Sequence, residues 1–146
     1  MHIDLDAFFC AVEELRRPYL KDKPFAVGGS PKGRGVVSSC SYAARSFGVH
    51  SAMPMKRALK ICPQLIVVKP EPRVYQKASQ KVFSVLADFT PLIEQISIDE
   101  AFLDLSDLPE DEFALARQIQ ERIWLETKLP CSIGVATNKL VAKIAT

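Results

Sequence analysis

The sequence predicts an α+β fold: a mostly antiparallel four-stranded sheet with helices on one face, carrying a small inserted α/β lobe near its start. Three observations predict it. From His2 to Phe8, Ile3, Leu5 and Ala7 alternate with Asp4 and Asp6, the period of a half-buried strand. After residue 72 the helical and strand periods follow in the order α-β-β-α-β-α, and the first strand completes the sheet. Between these parts, short strands and helices punctuated by Gly and Pro fill the stretch from about Phe8 to Glu71.

The elements follow in order. Residues from Phe9 to Arg17 read as a short helix stopped by Pro18. Phe25 to Gly28 is an apolar strand, residues 28–35 a glycine-rich loop, and Val36 to Ser39 a second strand. Ser41 to Phe47 reads as a helix closed by Gly48, a fitting residue after a helix end. Pro54 opens the next helix at its first position and Pro63 closes it. Leu65 to Val68 is a strand. Arg73 to Phe89 is the longest helix, with Val74, Ala78, Val82, Leu86 and Phe89 on one stripe. Leu92 to Ile98 and Ala101 to Leu105 are strands separated by Asp99 and Glu100 alone. Glu112 to Glu126 is helical, with Leu115, Ile119 and Ile123 repeating every four residues. Cys131 to Val135 is a strand and Lys139 to Thr146 begins a helix. That last helix meets no Gly, Asn or Pro stop, which suggests a truncated chain.

Composition excludes several classes. With 146 residues, 48% hydrophobic and 25% charged, the chain is neither disordered nor fibrous. Nineteen basic against 17 acidic residues leave a net charge of +2, so any nucleic-acid footprint must be local. No apolar run reaches the roughly 18 residues of a membrane span, and the acidic start is unlike a signal peptide. Four scattered cysteines and two histidines argue against zinc and for buried free thiols in a reduced, cytoplasmic protein.

Three acids stand in unusual places. Asp4 sits on an apolar strand, where Asp is disfavoured. Asp99-Glu100 is poor chemistry for a two-residue hairpin, which favours Asn-Gly or Asp-Gly because both central residues need positive φ. If the first strand lies beside this hairpin, three carboxylates converge at one end of the sheet. An oxygen-only set of this kind suits Mg²⁺, and two such ions about 3.5–4 Å apart can align a phosphoryl transfer. A solvated turn with Asp4 as a cap is the equal alternative. Asp6 shares the Asp4 face but reads as the cap of the Phe8–Arg17 helix. Lys56, Arg57 and Lys60 read as a solvated basic face.

Four segments carry a resemblance. His2 to Glu13, Ser38 to Val49, Ser97 to Asp104 and Ser132 to Ala145 resemble, in order, the first motif, the fingers motif, the catalytic hairpin and the last palm motif of Y-family translesion DNA polymerases. The runs Ala26 to Ser30 and Arg34 to Val37 resemble the bacterial DNA polymerase IV branch. The resemblance implies a ferredoxin-like palm over residues 1–8 and 72–146 and fingers over 9–71, with the thumb and little finger absent. It also implies template-directed, low-fidelity addition of dNTPs to a primer 3′-OH by a two-metal mechanism, in DNA repair.

Carried over residue by residue, the resemblance places the metal ligands on Asp4, Asp99 and Glu100, with the main-chain carbonyl of Leu5 assisting. Tyr42, Arg45 and Lys143 fall on the dNTP triphosphate contacts. Phe9 falls on the steric gate, where a ring under the sugar clashes with a ribose 2′-OH. Val36 and Ser38 fall on the roof over the nascent base pair, and both are small. The implied cofactor is Mg²⁺, two ions per site, with Mn²⁺ able to substitute. The implied partners are primer-template DNA, dNTP and, through the region beyond this chain, a sliding clamp; no membrane is involved. A nucleotide cyclase built on a similar palm-like sheet and a catalytically incomplete nucleotide-binding fragment are the alternatives.

Overall fold

The computed structural model describes residues 1–106 and 111–146. The chain forms two compact units, Met1–Asp6 with Arg73–Thr146, and Ala7–Pro72.

The first unit is built on a sheet of four strands: β1 (His2–Leu5), β5 (Ile93–Gln95), β6 (Glu100–Leu103) and β7 (Cys131–Gly134), in the order β5-β6-β1-β7. Every neighbouring pair is antiparallel. Side chains alternate across the pleat, so register sorts them by face. Ile3 pairs with Ala101 and Ile133, and Leu5 with Cys131. Ile3, Leu5, Ala101, Leu103 and Cys131 are buried.

The two long helices, α4 (Pro72–Ala87) and α5 (Glu112–Thr127), bury stripes of their own. Leu115, Ile119 and Ile123 of α5 are buried as their spacing predicts. In α4 the buried line runs through Tyr75, Ser79, Val82, Val85 and Leu86, one position round from the expected Val74–Ala78 stripe. Tyr75 takes the centre because its ring offers far more area to bury than Ala78. Asp111 caps α5 by accepting from the Ala114 N–H at 2.8 Å.

The other face of the sheet carries His2, Asp4, Glu100, Phe102, Ser132 and Gly134, which are cross-strand neighbours. The short helix α6 (Lys139–Ala145) lies here, capped by Asn138 accepting from the Val141 N–H at 3.0 Å. A Cβ on Gly134 would stand 2.0 Å from the Ala142 carbonyl oxygen and 2.5 Å from Thr146 Oγ1. Glycine is what lets α6 approach the strand so closely.

Two expectations need correction. β1 stops at Leu5 rather than Phe8, because Ala7 adopts a left-handed conformation with φ 44°. The hairpin loop is Ile96–Asp99, and Glu100 already belongs to β6. Ile96 and Ser97 N–H groups both donate to the Glu100 carbonyl, at 3.0 and 3.2 Å. The wider loop removes the demand for positive φ at Asp99 and Glu100, and neither has one.

The second unit holds a three-stranded sheet ordered β3-β2-β4, with β2 (Phe25–Gly28), β3 (Val37–Cys40) and β4 (Ile66–Val68). β2 pairs antiparallel with β3 and parallel with β4. Around it stand α1 (Phe8–Arg16), α2 (Tyr42–Arg45) and α3 (Met55–Ile61). The core includes Ala26, Val37, Cys40, Ala44, Met53, Met55 and Ala58. Pro54 is the N-cap of α3 rather than its first residue. α2 is shorter than expected and is capped by Ser41, which accepts from the Ala44 N–H at 3.2 Å. Gly48 follows with φ 86°, the left-handed conformation that the sequence anticipates.

Glu13 of α1 is fully buried and is neutralised by Arg16 and Arg17 at 3.2 and 3.4 Å. Both arginines also reach Glu71, at 3.1 and 2.8 Å. All four cysteines are buried free thiols. Burial pushes the Cys10 and Cys131 thiols up to about 12.

Candidate metal and phosphate sites

The first unit gathers most of the expected ligands through backbone pairing. Asp4 on β1 is the direct cross-strand partner of Glu100 on β6. One residue on, the Leu5 N–H donates to the Asp99 carbonyl at 2.9 Å, which ties the hairpin loop to the end of β1. Three acidic positions and the Leu5 main chain therefore meet at one sheet end.

A cavity of about 270 Å³ opens there, lined by His2, Asp4, Asp6, Glu100, Ser132, Lys143 and Thr146. A larger cavity of about 480 Å³ lies at the other end of the strands, between Met1, Leu92, Phe102 and Lys139, and holds none of the expected ligands.

The carboxylates differ in their surroundings. Burial raises the Asp4 carboxyl above its ordinary range, and the negative charges of Asp99 and Glu100 push it further. Glu100 is held below its ordinary range by Lys143 and then by His2. Its Oε1 accepts from His2 Nε2 at 2.7 Å and from Lys143 Nζ. Asp99 Oδ1 accepts from the Ser97 hydroxyl. Lys139 pairs with Glu94 instead.

Among the described residues no three His, Cys, Asp or Glu side chains already form a cluster able to hold a metal ion. The donor set nonetheless fits a hard divalent cation. It is made of oxygens only, it is grouped by strand register, and the negative charges of Asp99 and Glu100 act on an Asp4 carboxyl that forms no ion pair of its own among the described residues.

Asp6 does not cap α1. The N-cap is Ala7, with no side-chain bond, and Asp6 Oδ1 accepts from Ser132 Oγ at 2.7 Å. The left-handed Ala7 turns the chain before a capping geometry can form, leaving Asp6 in the cavity wall. Neither His2 nor Ser132 is among the site residues expected from sequence, and Asp6 is expected there as a cap although it is placed on the Asp4 face. A usable signal existed for His2, which stands two residues before Asp4 and so shares its face of β1.

The second unit carries the remaining candidates. Phe9 is half-buried with its ring 5.6 Å from that of Phe8, which is core. Tyr42 and Arg45 are exposed on one face of α2, the guanidinium 5.0 Å from the Tyr42 ring centre. Val36 and Ser38 are exposed on one side of β3 while Val37 and Ser39 are buried. Lys56, Arg57 and Lys60 are exposed on α3, as the solvated reading expects.

Residues 3–146 match the impB/mucB/samB family. DNA polymerase IV of Alkalilimnicola ehrlichii is 45% identical over 148 residues, covering 99% of this chain and 42% of that protein. DNA polymerase IV of Pseudomonas paraeruginosa is 48% identical over 150 residues, with coverage of 99% and 42%. The chain thus spans about two fifths of the length of these curated relatives. Among solved structures, DinB from Sulfolobus solfataricus superposes with a TM-score of 0.91 at 36% identity, covering 98% of this chain and 43% of that one. The insertion ternary complex of Dbh DNA polymerase gives 0.90 at 37% identity, covering 98% and 44%. Among the described residues no helix is long and apolar enough to cross a membrane.

Proposed function

Because this chain belongs to the impB/mucB/samB family, we propose that it is the palm and fingers portion of a cytoplasmic Y-family DNA polymerase that adds dNTPs to a primer across damaged template. The observation that carries this reading is the register of β1 and β6, which sets Asp4 opposite Glu100 while Leu5 holds Asp99. The matched relatives and structures are DNA polymerases, which favours primer extension over nucleotide cyclisation.

In the proposed reaction a primer 3′-OH attacks the α-phosphorus of a dNTP and pyrophosphate leaves. Asp4, Asp99 and Glu100, with the Leu5 carbonyl, would hold divalent ions, Mg²⁺ in the first instance and Mn²⁺ as substitute. Such ions neutralise triphosphate charge and acidify the 3′-OH.

The side chains of the chain supply the rest. Lys143 is a cation next to Glu100 that can pass to the β/γ-phosphates once Glu100 is otherwise neutralised. Arg45 offers a fork of donors for phosphate and Tyr42 a hydroxyl on the same helix face. The Phe9 ring bars a ribose 2′-OH by bulk. Val36 and Ser38, small and exposed, would press lightly on the nascent base pair and tolerate distorted templates. A sliding clamp would engage a part of the polymerase outside this chain.

Primer extension at high protein excess tests the proposal, with Mg²⁺ or Mn²⁺ and with a dNTP or its matching rNTP. Extension by dNTP alone, abolished by Asp99→Ala, is expected. If extension fails, metal-dependent dNTP binding lost in Asp99→Ala would identify a nucleotide-binding fragment. Absence of both would refute the polymerase reading for this chain.

A further inference from the structure

We infer that His2 is a positioning residue for the metal site: it fixes the Glu100 carboxylate so that one oxygen stays with the protein and the other faces the cation. The inference rests on the metal-binding reading given above.

His2 is 2% exposed, and its ring is held on three sides. Its Nε2 lies 2.7 Å from Glu100 Oε1, its Nδ1 lies 2.7 Å from Thr146 Oγ1, and its ring centre is 4.7 Å from that of Phe102. A carboxylate only accepts, so Nε2 donates to Glu100.

The placement follows from the sheet. His2 stands two residues before Asp4 on the same face of β1, and its cross-strand partners are Phe102 and Gly134. Phe102 supplies the wall on one side. Gly134, lacking a side chain, admits α6 on the other, which brings the Thr146 hydroxyl to the ring. The ring therefore has little rotational freedom, and Glu100 inherits that restraint.

Both protein donors to Glu100 take the same oxygen, Oε1. Among the described residues Oε2 receives no hydrogen bond, and it is the oxygen left for an ion. Lys143 is exposed on a flexible stem and can leave, whereas buried His2 cannot. A ligand held by a buried donor is ordered before the cation arrives, which lowers the entropy lost on binding.

The test is Mn²⁺ binding to the intact chain, followed by calorimetry and by the electron-spin signal of free Mn²⁺, with thermal melts of every variant. His2→Leu keeps buried volume and loses the donor; it is expected to weaken Mn²⁺ binding by about 10-fold or more. His2→Gln, which can still donate to Glu100, is expected to recover most of that loss. In a Glu100→Gln background His2→Leu is expected to add nothing, since His2 acts through that carboxylate. Wild-type affinity in His2→Leu, alongside loss in Asp99→Asn, would overturn the inference and leave the metal site standing. So would a His2→Leu loss that persists undiminished with Glu100→Gln. Mn²⁺ binding that is absent, or indifferent to Asp99→Asn, would overturn the metal reading and the role of His2 with it.

Discussion

Asp4 and Glu100 face each other across β1 and β6 as direct cross-strand partners. Like charges so opposed destabilise a sheet, and here Asp4 carries the burden while Glu100 is compensated by Lys143 and His2.

Asp4→Asn is expected to stabilise the metal-free chain. The raised Asp4 carboxyl means that the folded state holds this proton more tightly than the unfolded state. Ionised Asp4 therefore opposes folding: the penalty is full above its folded pKa, fades as pH falls through that value, and is gone below the unfolded one. Melts with a chelator should show the variant a few degrees higher at neutral pH and equal to wild type near about pH 3. Equal melting at neutral pH would show that Asp4 carries no such strain.

Phe9→Ala removes the ring proposed to exclude ribose. Incorporation of dNTP should change little, whereas the ratio of rNTP to dNTP use should rise at least about 10-fold, equivalent to about 1.4 kcal/mol of lost discrimination. Single-nucleotide extension with each triphosphate gives the ratio, and an unchanged ratio moves the gate elsewhere.

Gly134→Ala inserts a methyl where the Ala142 carbonyl oxygen would stand 2.0 Å away. Helix α6 must move off the sheet, at a cost of about 1–3 kcal/mol. The urea midpoint should fall, and the Lys143 contact with Glu100 should loosen with it, read as a chemical-shift change at Glu100. An unchanged midpoint would show that α6 is not packed against β7.

Glu13→Gln leaves Arg16 and Arg17 beside a neutral buried amide, with Glu71 still in reach of both. Breaking a fully buried pair costs about 3–5 kcal/mol; both arginines are partly exposed, so about 2 kcal/mol is expected here. Denaturant unfolding measures it directly, and a loss under about 0.5 kcal/mol would mark the network as an ordinary surface pair.

Most of the fold was legible from periodicity. Leu115, Ile119 and Ile123 recur every four residues and are all buried, and the alternation of Ile3 and Leu5 with Asp4 gave the two faces of β1. Boundaries were less legible because they turn on single backbone conformations. Nothing in the pattern of residues 2–8 announces that Ala7 takes a positive φ, yet that one residue ends β1, removes Asp6 from its expected cap and turns it toward Ser132. The candidate site was legible where residue type alone signalled it, as with an acid on an apolar strand. It was illegible where the role depends on a partner distant in sequence. His2 and Glu100 are 98 residues apart, and only the register of β1 and β6 makes them neighbours.

The four cysteines give the chain a chemically silent interior. Thiols that are buried, with Cys10 and Cys131 pushed up to about 12, present almost no thiolate to a maleimide or a disulfide reagent at neutral pH. A single new cysteine at an exposed position such as Ser38 would then be the one fast-reacting group in the native chain. A fluorophore or spin label could be placed there with the native cysteines left in place. The slow reaction of the buried four would serve as an internal clock for unfolding, because each becomes modifiable only when its own unit opens.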